Sequence, residues 1–150
     1  MDTFDAIASA AEAESPVWGA ALCPSDERQL VAVFSELVPD HLRLGLETVY
    51  EAYLVHYGRS RIFETPDADE AVLLGDYLYA HGLVRIAEAG GVDAVRVLAD
   101  LISRCAALRA DGSPGDGVAW VDAARALGGA SDTDAVTRAL RLHSARVALR

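Results

Sequence analysis

The sequence predicts an all-α fold, a bundle of about six helices, on three observations. Ala, Leu, Arg and acidic residues dominate the chain, and no segment sustains the alternation of polar and apolar residues that a half-buried strand needs. Apolar residues instead recur at three- and four-residue spacing, as in Leu30, Val33, Phe34 and Leu37. Pro and Gly collect between such stretches, where they end helices. At 150 residues the chain is long enough for one real core, and the reading is a helix and arm over 1–24 followed by a single helical domain over 25–150.

The elements follow in order. A first helix spans 2–14, and Pro16, Gly19 and Pro24 mark an arm after it. Ser25 or Asp26 caps a second helix over 27–38, which Pro39 interrupts. Asp40 caps a third over 41–57 with the core stripe Leu42, Leu46, Val49, Tyr53 and Tyr57, and Gly58 closes it. A loop over 59–64 leads to Thr65-Pro66, which supplies cap and first-turn chemistry for a long apolar helix ending at Gly90-Gly91. The fifth helix, 92–109, sets Asp93, Arg96, Asp100 and Arg104 against a stripe of Val95, Leu98, Ile102 and Cys105. The breaker at 111–117 precedes a short helix over 118–127 and a last one over 132–149, capped by Ser131.

One residue breaks the pattern. The stretch 71–87 is apolar almost all round, yet Asp76 shares its stripe with Val72, Ala80, Leu83 and Ala87, while Tyr77, His81, Arg85 and Glu88 take a wetter face. The expectation is a largely buried Asp76 that holds hydrogen bonds or a cation, or else has a raised pKa. Tyr77 and His81, one turn apart, are spaced for a polar pair, but the favoured reading is a surface or interface contact.

The net charge of −10 speaks against nucleic acid and against anionic membrane surfaces as partners. Charge is uneven: residues 1–112 hold 19 acids against 8 Arg, and 113–150 hold 4 acids against 5 Arg. Arg138, Arg141, Arg146 and Arg150 crowd the last helix, as a solvated face or as a dock for an acidic surface. Two cysteines make no disulfide framework: Cys105 reads as core and Cys23 as a free thiol near a loop. No transmembrane segment is evident, and a cytoplasmic protein is the expectation.

The segment from Leu44 to Gly112 resembles the front half of the trans-type polyprenyl diphosphate synthases. Ala71-Val-Leu-Leu-Gly75-Asp76-Tyr-Leu is similar to that family's Ala-Val-Leu-x-Gly-Asp-x-Leu segment, and Gly58-Arg59 to its Gly-Lys. The resemblance implies an all-helical scaffold. By its spacing, Glu47-Thr-Val-Tyr-Glu51 stands where the family has its first Asp-rich motif, whose carboxylates hold Mg²⁺ on an allylic diphosphate. The aspartates are absent here. Glu47 and Glu51 share one helix face, as a residual acidic site or simply as a solvated face. His56-Tyr57 replace the family's two diphosphate-binding arginines, with Arg59 and Arg61 nearby as substitutes or as plain loop surface, and Asp132-Thr-Asp134 is too sparse for the second Asp-rich motif.

The resemblance therefore implies scaffold without machinery: a non-catalytic accessory subunit like the small component of heptaprenyl diphosphate synthase. Such a subunit works as a homo- or hetero-oligomer with a prenyl synthase catalytic subunit and needs no cofactor of its own. One alternative is a degenerate prenyl-diphosphate binder that uses Glu47, Glu51, Arg59 and Asp76, with Mg²⁺ only in that case. The other is a helical protein-interaction module with no link to isoprenoids. No His, Cys and acid spacing suggests a metal site, and no Gly-x-Ser-x-Gly elbow is present.

Overall fold

The computed structural model describes residues 2–148. Its six α-helices, among the described residues, are α1 (Thr3–Glu14), α2 (Pro16–Ala21), α3 (Arg43–Tyr57), α4 (Ala68–Ala110), α5 (Asp116–Ala126) and α6 (Thr133–Ala148), in an all-α bundle.

The centre of the bundle is α3, buried on every side from Gly45 to Leu54. One core forms on each flank. Phe4, Ile7 and Ala11 of α1 join Ala21, Ala52, Ile62, Phe63, Leu74 and Leu78 on one flank. On the other, Val33, Phe34, Leu37 and Val38 meet Tyr50, Tyr53, Leu98, Trp120 and Val136. Each fully buried Leu, Ile or Phe contributes about 1.5–3 kcal/mol, so this two-sided burial is what holds α3 in place.

α3 and α4 approach closely because glycines line their seam. A Cβ added at Gly82 would meet Val49 Cγ2 at 2.6 Å, and one at Gly45 would meet Ile86 Cδ1 at 2.7 Å. The seam also turns α4 by a different angle from the one its apolar residues suggest. Leu74, Gly75, Leu78, Gly82 and Ile86 face inward, while Val72, Leu73, Ala80, Val84 and Ala87 are exposed and Leu83 is only half-buried. Asp76 lies with them at the surface, its side chain 66% exposed, so the expected burial of Asp76 is corrected. Glycine counts for little in a hydrophobicity pattern, yet it lets one backbone come close enough to another to set the packed face.

Further elements differ from expectation. The 27–38 stretch is not a helix: turns of 3₁₀ helix at Ser25–Glu27 and Ser35–Leu37 flank an irregular run. Val33, Phe34, Leu37 and Val38 reach the core while Leu30 and Val31 stay exposed, and Arg61 Nη1 donates to the Val31 carbonyl at 2.9 Å and Gln29 N to the Arg61 carbonyl at 3.1 Å. The first of those bonds takes a carbonyl that a helix would use, and the second pairs an N–H that a helix starting at Glu27 would leave free. Instead α2 forms in the expected arm, with Ser15 Oγ accepting from Val17 N and Pro16 in its first turn. The arm is tied down by a bridge between Leu22 and Phe63.

The expected helices on either side of Gly90-Gly91 run on as α4 across a kink at Gly91, with φ 75° and ψ −171°. Caps shift by a residue or two: Asp67 Oδ1 rather than Thr65 accepts from Asp69 N and Glu70 N, and Asp132 Oδ1 rather than Ser131 accepts from Asp134 N and Ala135 N. No helix of the described residues is long and apolar enough to cross a membrane.

Candidate functional site

The strongest concentration of charge in the interior is built on α3 and the loop that follows it. Glu47 and Glu51, one turn apart, both point at Arg61, and relative exposures of 1%, 0% and 1% place all three out of solvent. Arg61 Nη1 contacts Glu47 Oε1, and Nη2 lies 2.8 Å from Glu51 Oε2. Arg61 Nε also donates to Glu51 Oε2 at 2.9 Å. The loop returns along α3 and adds Ser60 Oγ and, at 3.0 Å, the Arg61 backbone N–H as donors to Glu51 Oε1. Rings of Phe4 and Tyr50 lie 4.8 and 5.1 Å from the guanidinium carbon. Burial opposes the charge on Arg61, but Glu47 and Glu51 outweigh it and raise its pKa above the ordinary guanidinium value.

The two glutamates are thus neither a solvated face nor open carboxylates, which corrects the expected exposure of Glu47 and Glu51. Their donor set does not fit a Mg²⁺ ion. Mg²⁺ needs carboxylate oxygens with room for its own waters, and these oxygens are held by a guanidinium in a dry core. Among the described residues no group of three or more His, Cys, Asp or Glu is placed to hold a metal ion.

Above this cluster lies a cavity of about 570 Å³, lined by Cys23, Glu27, Gln29, Arg59, Ser60 and Glu64 among others. Glu51 and Arg59 are therefore brought to one region, with Glu51 beneath the floor and Arg59 exposed at the wall. Cys23 is half-buried here. Burial, then Glu64 and Glu27, push its thiol pKa up, so the thiolate is disfavoured. Cys105, in the core, is pushed up to about 12, chiefly by burial.

Asp76 stands apart from that region. Its Oδ1 lies 3.4 Å from Nε2 of His56, on α3. Gly75 makes the pairing possible, because a Cβ there would run into the His56 ring. The Gly75-Asp76 pair thus has a packing role, seating an imidazole between two helices and bonding its outer nitrogen. The Tyr77 hydroxyl and His81 Nδ1 pair at 2.9 Å, and Arg85 reaches Thr48 Oγ1 at 2.8 Å.

A second polar network was not legible in the sequence, since its members come from four helices. Asp116 Oδ2, at the start of α5, accepts from the Tyr53 hydroxyl and from Arg109 Nη2 at 2.6 Å, and it lies 3.3 Å from His143 Nε2. On its other side, His143 Nδ1 lies 2.9 Å from the Tyr50 hydroxyl. His143, first among these, with Tyr53 and Arg109, holds the Asp116 carboxyl well below the usual carboxylate range although burial works against it. Burial raises the Tyr50 and Tyr53 hydroxyls well above the ordinary phenol. The network anchors α6 to α3, α4 and α5.

Compared with protein-family models, curated proteins and solved structures, the chain matches none of them.

Proposed function

We propose that this chain is a non-catalytic helical subunit, a motif-depleted relative of the polyprenyl diphosphate synthases that acts by associating with a catalytic partner. The observation that supports this reading is the state of Glu47 and Glu51. They occupy the place of the first Asp-rich motif in the resemblance, but both are engaged by the one Arg61 guanidinium inside the core, so they serve the scaffold. In the same direction, Arg59 is the sole expected site residue that lines the large cavity, and Asp76 is engaged with His56 elsewhere.

The test has two arms. The purified chain alone, given isopentenyl and farnesyl diphosphates with Mg²⁺, is expected to form no longer product. Mixed with the polyprenyl synthase catalytic subunit of its own source, it is expected to co-elute with that subunit and change its product length. Condensation by the chain alone overturns the proposal.

A second reading, a helical interaction module unrelated to isoprenoids, is favoured by one observation. Gly75-Asp76, the centre of the resemblance, is accounted for by the packing of His56 alone. Absence of any effect on prenyl synthase association or product length would select this reading.

A further inference from the structure

We propose that the groove between residues 30–37 and α6 docks an acidic, apolar segment of a partner protein. The inference does not depend on the isoprenoid reading, because it concerns the chemistry of one surface.

The groove exists because the 27–38 stretch is not a helix. An irregular stretch of chain lies beside α6 and leaves two adjoining hollows. Val33, Leu37, Ala139 and Leu142 line one, with Glu36 and Arg138 at its rim. Val31, Leu142, Ala145 and Arg146 line the other. Beside them Leu30 and Val31 are 42% and 45% exposed. An apolar floor of this kind is stabilised by any occupant that excludes water from it.

Charge selects the occupant. The chain as a whole carries −10, yet the groove presents Arg138 and Arg146 against Glu36 alone. Glu36 stands 3.9 Å from Arg138, at the limit of an ion pair. Arg146 is half-buried, and no carboxylate among the described residues pairs with it. Among the described residues its guanidinium is held by neutral acceptors, Gln29 Oε1 at 2.8 Å and the Arg59 carbonyl at 3.4 Å. Burial, followed by the nearby Arg61 and Arg59 charges, lowers its pKa below the ordinary guanidinium value, while Glu51 compensates in part.

A half-buried guanidinium without a counterion is stabilised by an incoming carboxylate, which can take two of its donors at once. The fitting occupant carries apolar side chains with Asp or Glu beside them. Nucleic acid offers phosphates but nothing for the apolar hollows, and the overall negative charge repels it.

The test titrates the ¹⁵N-labelled chain with a synthetic helical peptide of about two heptads, bearing a Leu stripe flanked by Glu, and with its Lys-flanked counterpart. The expected result is saturable shift changes confined to amides of 30–37 and 135–146. Binding of the Glu peptide should be about tenfold tighter than that of the Lys peptide and should weaken with salt. Arg146→Glu and Arg138→Glu should each weaken it at least about fivefold. Arg138 is exposed, so its variant keeps the test decisive if the Arg146 variant does not fold. No shifts up to about 1 mM peptide, which would place any affinity weaker than about −4 kcal/mol, overturn the proposal. Equal binding of the two peptides, or shifts on the outer face of α4 around Leu73 and Val84, also overturn it. So does a concentration-dependent dimer abolished by Arg138→Glu, which would make a second copy of the chain the occupant.

Discussion

Arg61 Nη2 lies 2.8 Å from Glu51 Oε2, and neither side chain touches solvent. This pair joins the loop after α3 to the middle of α3, and through the Val31 carbonyl it also fixes the irregular 28–34 segment. Desolvating such groups is costly, so their worth lies in what happens when one is removed.

Arg61→Met should destabilise the fold by about 3–5 kcal/mol, because it strands two carboxylates in a dry core. Replacing Glu47, Glu51 and Arg61 together with apolar residues of similar volume should recover most of that loss. Urea unfolding of the single and triple variants measures both. A single variant within about 1 kcal/mol of the parent chain would show that Arg61 is not the strut described here.

The Asp116 network carries a pH signature. Its carboxyl has a depressed pKa in the folded chain, so its contribution is complete above the unfolded aspartate value of about 3.9 and is lost as pH falls below it toward the folded value. The gap in melting temperature between the parent chain and Asp116→Asn should therefore narrow as pH drops from about 6 to about 3. Asp116 is only partly buried, so screening by solvent keeps the effect modest. A gap that stays constant with pH would remove the carboxylate from the explanation.

Gly75→Ala should cost about 1–3 kcal/mol, since the new methyl collides with the His56 ring. Adding His56→Ala should relieve part of that penalty, giving a positive coupling in a double-mutant cycle. Asp76→Ala alone should cost less than about 1 kcal/mol because its pairing with His56 is open to solvent. Strict additivity of the Gly75 and His56 changes would contradict the seating of that ring.

Gly91 sits where essentially only glycine is comfortable, and nothing lies within 4 Å of where its Cβ would be. Gly91→Ala should cost about 1–3 kcal/mol through the backbone alone. Gly112→Ala, also at positive φ in open space, serves as the control for ordinary left-handed strain. A Gly91→Ala chain as stable as its parent would place the kink elsewhere.

The sequence by itself determined the helical class, the positions of α1, α3, α5 and α6 to within a few residues and the outward charges of 93–104. These are local matters: spacing, caps and breakers act within a few residues along the chain. Tertiary structure decided the rest. It chose which face of α4 is buried, because Gly75 and Gly82 admit α3 where larger apolar residues do not. It kept 28–34 out of a helix, because Arg61, far along the sequence, claims the Val31 carbonyl. It turned Glu47 and Glu51 from apparent surface acids into the partners of one buried guanidinium. A charge leaves water only when a specific partner is waiting, and that partner is brought by the fold of the whole chain, beyond the reach of any local pattern.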